Sequence, residues 1–381
     1  MSLSVLHVLP GLGYGGAEFV VSRLAQAERA LGVQNQVLYL KGQAPLAADL
    51  RKGGVPCRRM DAMTALSALA GFFSPSRGKK QPFDIVHGWL YSGNLAAGML
   101  ARGGRRAPVI WNLMQGNLGP EVNSAKIRAY MKVGAHYSSR WPSKIVCNSL
   151  LAQKAHEKIG YDSSRMTVIP NGIDTNTFRP DPATRARFRD KYLLSEQTLV
   201  IGLLARWDPN KDHRTLLSAF GLVAGRGVNA HLFLAGPGVS AENSVLMEWV
   251  RQTGAADRVH LLGPVEDTPG FLAGLDLFCL SSIGESSSYA LAEAMACGIP
   301  AVATNVGDAR DVVGNTGVIV PTAQPQAFSE GIQHLTCLQP AERARLGIEA
   351  RERIVKNYSF KKMVDAYQSL YQTVLGKDSH S

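Results

Sequence analysis

The sequence predicts an α/β protein made of two Rossmann-like, doubly wound parallel-sheet domains that face one another across an interdomain cleft. Three observations predict it. The chain of 381 residues exceeds the usual size of one domain and suits two of about 150 to 200 residues. Short β-branched apolar runs alternate with longer amphipathic stretches, which is the pattern of βαβ units with helices on both faces of a parallel sheet. Pro, Asn, Gly and Asp cluster between two such series, in VIPNGIDTNTFRPDP at 168–182, and mark a join.

The first series opens with the strand-like LSVLHVL. It runs through GLGYGGAE into the helical pattern FVVSRLAQAERAL. Gly11, Gly13 and Gly16 satisfy G-x-G-x-x-G, and such a turn lets backbone approach an anion and aims helix amides at it. The same glycines also fit a plain βα turn. A nicotinamide site usually has an acidic residue about 20 positions on, at the end of the second strand, whereas QVLYL is followed by Lys41. That weakens a dinucleotide reading while leaving NADPH open.

Residues 62–73, AMTALSALAGFF, place Met63, Leu66, Leu69 and Phe73 at helical spacing ahead of Arg77, Lys79 and Lys80. This stretch fits either a helix packed on its own sheet or one lying on an anionic bilayer. DIVHGWL, PVIWNL and KIVCNS follow as strands, with the helical pattern GNLAAGMLARG among them. The second series comprises TLVIGLLA, AHLFLAG, RVHLLG, LDLFCLS, PAVAT and GVIVP, with helices such as RTLLSAFGLVA and YALAEAMAC between. The expected domains are 1–172 and 173–357, followed by a helix over 358–375.

Composition limits the function classes. No run of 18 apolar residues and no charged start with a cleavable apolar stretch occurs, so the chain is expected in the cytoplasm. Five cysteines, at 57, 147, 279, 297 and 337, are scattered without C-x-x-C pairs, which indicates neither a disulfide framework nor a zinc site. Through residue 170, Lys and Arg outnumber Asp and Glu 21 to 8, a net of +13, leaving −2 for the remainder of the total +11. The first half is therefore suited to an anionic partner. No zinc finger, RNA-recognition signature or aromatic-basic interleaving points to nucleic acid. A bilayer surface remains.

Residues 284–317, GESSSYALAEAMACGIPAVATNVGDARDVVGNTG, carry Glu285 after a strand and turn, and Glu293 eight positions later within a helix. Two carboxylates so placed can accept from sugar or ribose hydroxyls. The serines beside them expose helix N-terminal amides suited to phosphate. Taken singly, two helix glutamates are ordinary solvated charges. In ARWDPNKD, Arg206 and Lys211 flank a short turn after a strand, where two cations can stabilise a diphosphate.

The ordered combination of GLGYGGAE, DIVHGWL, KIVCNSLLAQKAHEKIGYDSSRMTVIPNGIDTNTFRPD, LLARWDPNKD and the E-x7-E helix resembles the family-4 retaining glycosyltransferases of GT-B fold. It is most similar to bacterial enzymes of O-antigen, capsule and related surface-polysaccharide synthesis. The resemblance implies transfer of a sugar from a UDP- or GDP-sugar to a hydroxyl of a glycan or lipid-linked oligosaccharide, with retention of configuration. It implies Arg206, Lys211 and Glu285 at the reacting centre, the cations serving in place of a divalent metal. No metal and no cofactor are expected, the nucleotide sugar being a substrate.

The resemblance also assigns Gly15 and Gly16 to the diphosphate-facing loop, and Pro264 and Val265 to the nucleobase loop. Ser287, Ser288 and Tyr289 would meet phosphate or sugar through backbone amides, and Glu293 would hold the ribose. It implies a final helix that returns to the first domain, and a peripheral contact with the inner face of the cytoplasmic membrane. Many members have a histidine after the strand matching PVIWNL, where this chain reads NLMQGNLG. Gln115 and His87 are the acceptor-side candidates that remain, although a lone histidine such as His87 is more often a packed or capping residue. A sugar-nucleotide epimerase and a noncatalytic sugar-nucleotide-binding subunit stay open as alternatives, and a dinucleotide oxidoreductase comes last.

Overall fold

The computed structural model describes residues 3–61, 83–102, 107–120, 122–285 and 287–376. The amphipathic stretch at 62–73, with Arg77, Lys79 and Lys80, lies outside the described residues. The chain divides into two compact units, Met1–Gly172 with Lys361–Ser381, and Ile173–Phe360.

The first unit is a seven-stranded parallel sheet. Its strands are β1 (Ser4–Leu9), β2 (Gln34–Tyr39), β3 (Cys57–Arg59), β4 (Ile85–Trp89), β5 (Val109–Leu113), β6 (Lys144–Cys147) and β7 (Met166–Val168), ordered β3-β2-β1-β4-β5-β6-β7. β4 and β5 are buried along their whole length, as expected of central strands covered by helices on both faces. Trp89 and Trp111 are among the largest side chains in this core. β3 and β7 were not read from the sequence. Each is a three-residue strand on a sheet edge, too short for alternation to register.

The last helix, Phe360–Val374, belongs to this unit from Lys361 onward. Met363, Tyr367 and Tyr371 recur every four residues and form its buried face. The Tyr367 hydroxyl accepts from Asn112 Nδ2 at 2.6 Å, and Met363 Sδ accepts from Gly172 N at 3.2 Å.

The second unit is a six-stranded parallel sheet of β8 (Leu199–Leu204), β9 (Ala230–Ala235), β10 (Val259–Leu261), β11 (Leu277–Leu280), β12 (Ala301–Thr304) and β13 (Gly317–Val320), ordered β10-β9-β8-β11-β12-β13. Phe233 and Phe278 anchor one apolar cluster, and Phe220 and Phe328 another. All six strands fall on runs read from the sequence. Order reverses between β1 and β4 in the first sheet and between β8 and β11 in the second. Open α/β sheets bind ligands outside the carboxyl ends of their strands at such a reversal.

Candidate functional site

The reversal in the second unit collects the predicted charges. Arg206 and Lys211 lie in the loop after β8, and Glu285 lies in the loop after β11. Lys211 Nζ donates to Glu285 Oε1, which also accepts from Ser282 Oγ at 2.8 Å. This pair is only partly exposed, at 20% and 11%. Arg206 is open to solvent and donates from Nε and Nη2 to Asp208 Oδ2, at 3.1 and 2.8 Å. The other Asp208 oxygen accepts from Asn210 N at 2.9 Å. That backbone bond first, and Arg206 second, hold the Asp208 carboxyl below its usual range against an opposing effect of burial.

Backbone contacts fix the two loops together. The Asn210 carbonyl accepts from Ile283 N at 2.8 Å, and the Lys211 carbonyl accepts from Ser281 Oγ at 2.8 Å. Thr304 Oγ1 donates to the Ser282 carbonyl at 2.6 Å. Asp212 takes a left-handed φ of 44° and caps the helix His213–Gly225, its Oδ1 accepting from Thr215 N at 3.1 Å. Gly236 follows β9 at a φ of +144°, and a Cβ there would stand 2.2 Å from the Ala205 carbonyl oxygen. Only glycine lets the loops after β8 and β9 approach this closely.

The helix Tyr289–Ala296 starts behind Ser288, whose Oγ accepts from Leu291 N at 3.4 Å. Ser287 precedes that cap, and Glu293 lies half-buried in the second turn. Asp308, which the sequence reading did not single out, is buried in the loop after β12. It accepts hydrogen bonds from the Ser287 side chain and the Ser288 backbone, yet burial outweighs them and raises its pKa to about 6. The signal available was an aspartate immediately ahead of a short helical pattern in VGDARDVVG, which reads as a helix cap. Its burial against residues 287–288 depends on tertiary structure.

Pro264 and Val265 follow β10 and line a cavity of about 430 Å³ together with Phe188, Lys191 and Tyr192. A roomier cavity of about 800 Å³ lies at the opposite, amino-terminal ends of the strands, among Leu199, Asp276 and Gly298. Volume therefore does not select the site. The convergence of charge at the strand reversal does.

In the first unit, Gly15 precedes the helix Gly16–Ala30 and caps it without a side chain. Tyr14 beside it is exposed and stacks on Phe19 with ring centroids 6.1 Å apart. Gln115 lies half-buried in the loop after β5, and its Oε1 has no hydrogen-bond partner among the described residues.

His87 is placed differently from a surface acceptor group. It is fully buried on β4, opposite His7 on β1, with Nδ1 hydrogen-bonded to the Tyr371 hydroxyl at 3.0 Å and its ring stacked on Trp89. Burial, with His7 nearby, pushes its pKa well below the ordinary value, so the ring is neutral. A polar cluster surrounds it. Trp89 Nε1 donates to His7 Nδ1 at 3.2 Å, His7 Nε2 lies 3.3 Å from Glu28 Oε2, and Asn35 Nδ2 donates to that oxygen at 3.0 Å. β4 continues past His87 through Trp89, and the packed reading of this histidine holds: its side chain lies in the core.

Among the described residues no three His, Cys, Asp or Glu side chains gather as metal ligands. No described helix is long and apolar enough to cross a membrane.

Two family models match the chain in succession: Glycosyltransferase Family 4 over residues 14–177, and Glycosyl transferases group 1 over residues 198–337. The chain is similar to N-acetyl-alpha-D-glucosaminyl L-malate synthase of Bacillus anthracis, 28% identical over 233 residues that cover 60% of this chain and 59% of that one. It is similar also to the GDP-mannose-dependent alpha-(1-6)-phosphatidylinositol monomannoside mannosyltransferase of Mycobacterium tuberculosis, 31% identical over 184 residues, or 45% and 47% of the two chains. The chain thus spans about half the length of the curated relatives it matches. Among solved structures it is similar to Anabaena HepE in complex with UDP, at a TM-score of 0.82 and 20% identity over 98% of this chain and 100% of that one. HepE has also been solved with UDP-glucose. The two parallel-sheet units have the GT-B glycosyltransferase fold, and the chain carries both glycosyltransferase segments in order.

Proposed function

We propose that this chain, which carries family-4 and group 1 glycosyltransferase segments, is a retaining glycosyltransferase that uses a UDP- or GDP-sugar. Its acceptor is a hydroxyl of a glycan or lipid-linked oligosaccharide in bacterial surface-polysaccharide synthesis. One observation carries the donor reading: Lys211 from the loop after β8 pairs with Glu285 from the loop after β11 at the strand reversal of the second unit, with Arg206 on the same loop as Lys211. The nucleotides named for relatives and neighbours, GDP-mannose in one and UDP-glucose in another, support a nucleotide-sugar donor and leave the base open. The polysaccharide role rests on the sequence resemblance.

In this reading the donor's diphosphate lies against Arg206 and Lys211, and the glycine loop ending in Gly15 and Gly16 offers backbone amides to the same group. Donor phosphate takes over part of the attraction that Glu285 exerts on Lys211, and the carboxylate then accepts from a hydroxyl of the transferred sugar. Glu293 accepts from the ribose, amides of 287–289 meet phosphate or sugar, and the Pro264–Val265 loop borders the base. The acceptor hydroxyl attacks the anomeric carbon on the face from which the nucleoside diphosphate departs, and the departing phosphate oxygen takes the proton. The cations act on charge that grows as the bond to the leaving group breaks, where one donor is worth about 3 kcal/mol. Neither metal nor cofactor is assigned a step.

Calorimetric titration with UDP, GDP and their common sugar conjugates, paired with NMR of the anomeric configuration of the product, tests the reading. One sugar nucleotide should bind, Glu293→Ala should weaken it, and the product should keep the donor's anomeric configuration. Inverted product would sink the retaining mechanism. Epimer formation without acceptor would identify an epimerase, and binding without turnover on any acceptor a noncatalytic subunit.

A further inference from the structure

The loop after β12 sets an acid against the helix start that the donor reading gives to phosphate. Asp308 stands at the N-cap position of the short helix Ala309–Val313, where an aspartate ordinarily turns back to bind the amides of its own helix, yet it makes no such bond. Its side chain is aimed instead at the start of the neighbouring helix, Tyr289–Ala296, and accepts from the Ser287 hydroxyl and the Ser288 backbone amide. The residue is 7% exposed, and Oδ1 has no hydrogen-bond partner among the described residues. An ionised carboxylate would keep a charged oxygen buried and unpaired there, which is costly, whereas a proton on the carboxyl removes that charge.

The groups around it do not offset the charge. Arg310, on the same short helix, donates from Nε to Asn305 Oδ1 at 3.2 Å. Arg353, on the helix Pro340–Tyr358, donates to the carbonyls of Val312 and Asp311, at 2.9 and 2.5 Å. Tyr358, at the end of that helix, donates to the Asp311 carbonyl at 3.0 Å, and burial keeps its phenol protonated. From the loop after β11, Lys211 and Glu285 are paired with each other. The helix that Asp308 braces carries one charged residue, Glu293, and Asp311 adds a like charge.

We infer that Asp308 is a positioning residue for the donor's diphosphate and works as a neutral acid: protonated, it holds Ser287 and Ser288 in place without setting a negative charge against phosphate, so binding of a nucleotide sugar takes up one proton from solvent at this carboxyl. The ionised form hinders binding twice over. It accepts from the Ser288 amide that phosphate would use, and it repels the phosphate placed beside it, which in turn favours the protonated acid. Burial has already raised this carboxyl to about 6, so the exchange falls near neutral pH. His213, beneath the Lys211 loop, is pushed by burial to about 4 and stays neutral over the same range. The inference rests on the donor reading and adds to it the residue that sets the protonation state of the phosphate seat.

Calorimetric titration of the full chain with UDP-glucose and with GDP-mannose, whose diphosphates carry no group that titrates near neutrality, tests it. Titrations in two buffers of different ionisation enthalpy count the protons taken up by the parent, a measurement that stands even where a variant fails to fold. The sugar nucleotide that binds should lose about tenfold in affinity between about pH 6 and about pH 8, and should take up between about half and one proton at neutral pH. Asp308→Asn keeps the shape of the neutral acid and cannot ionise. It should show a flat profile, take up no proton, and exceed the parent's affinity at the upper pH by about tenfold. Asp308→Ala, which leaves Ser287 and Ser288 without their partner, should bind more weakly than Asp308→Asn throughout. A parent whose affinity ignores pH, an unchanged slope in Asp308→Asn, or a uniform loss of affinity in that variant, as a purely structural role would give, would each overturn the inference while leaving the donor reading intact. Failure of the parent to bind either nucleotide at any pH would instead sink the donor reading, and this inference with it.

Discussion

The two strand reversals use polar residues in opposite ways. In the second unit Arg206, Asp208, Lys211 and Glu285 stand on loops beyond the strands, partly open to water, and each cation is held by a neighbouring carboxylate. In the first unit the polar groups lie within and beneath the strands: His7, Glu28 and Asn35 are buried and joined by hydrogen bonds, and His87 is bonded to the last helix, while the loop after β1 offers mainly glycine backbone. A charge that must meet a ligand is kept near water, because burial without a partner is costly; a polar group that fixes an element in place is sealed. Substitutions at the two reversals should therefore separate, one set reading out in stability and the other in turnover.

The largest expected effect tests the sealed half. Glu28→Ala leaves His7 and Asn35 buried without their shared acceptor, and each buried polar group left without a partner costs about 1–3 kcal/mol. Urea unfolding should show that loss, with nucleotide binding retained in the folded fraction. A variant as stable as the parent would mean that water replaces the carboxylate and that the cluster is not sealed.

Next come the cations. Arg206→Ala and Lys211→Ala should each reduce turnover by on the order of 100-fold, because their bonds strengthen as the leaving diphosphate gains charge. Stability should move by less than about 1 kcal/mol in Arg206→Ala, whose exposed ion pair contributes little. If Arg206→Ala instead weakened binding with turnover intact, the cation would serve ground-state recognition alone.

Asp308 crosses the divide, being a buried group beside the open site. Its carboxyl is raised by burial from 3.8 to about 6. A raised acid stabilises the fold fully below its unfolded value and loses that contribution as pH rises through the folded one. Between about pH 4.5 and pH 7 the second unit should lose on the order of 2 kcal/mol from this group. Asp308→Asn, which cannot ionise, should flatten that slope in unfolding experiments at the two pH values. An unaltered slope in the variant would assign the dependence to another group.

The legibility of the molecule followed the same divide. The six strands of the second sheet were readable because their signals are local, apolar runs bounded by turn residues, whereas the charged loops stood out only through the family resemblance, since Glu285, Glu293, Arg206 and Lys211 taken singly read as ordinary solvated charges. The Lys211–Glu285 pair was not readable, since it joins residues 74 apart, and neither was the burial of Asp308 behind Ser287. His87 shows the limit most clearly. A histidine at the end of DIVH reads more readily as a packed or capping group than as an acceptor-side one, and its partners, His7 on a strand 80 residues earlier and Tyr371 on a helix 284 residues later, are not legible in the sequence.

The smallest expected effect bears on the glycine turn, where sequence left two readings. Gly15 has a φ of −116°, which alanine adopts freely, and the atom its Cβ would meet at 2.3 Å is the far end of the flexible Glu18 side chain. Gly15→Ala should therefore cost less than about 1 kcal/mol, mostly because alanine is the poorer helix cap. Its consequence should lie elsewhere. If amides at this helix start face the donor's diphosphate, an added methyl keeps the phosphate from closing on them, and sugar-nucleotide affinity should fall several-fold in calorimetry while the melting temperature barely moves. Unchanged affinity would mean that GLGYGGAE is only a tight connection between strand and helix, and that the open, charged loops of the second unit hold the diphosphate without help.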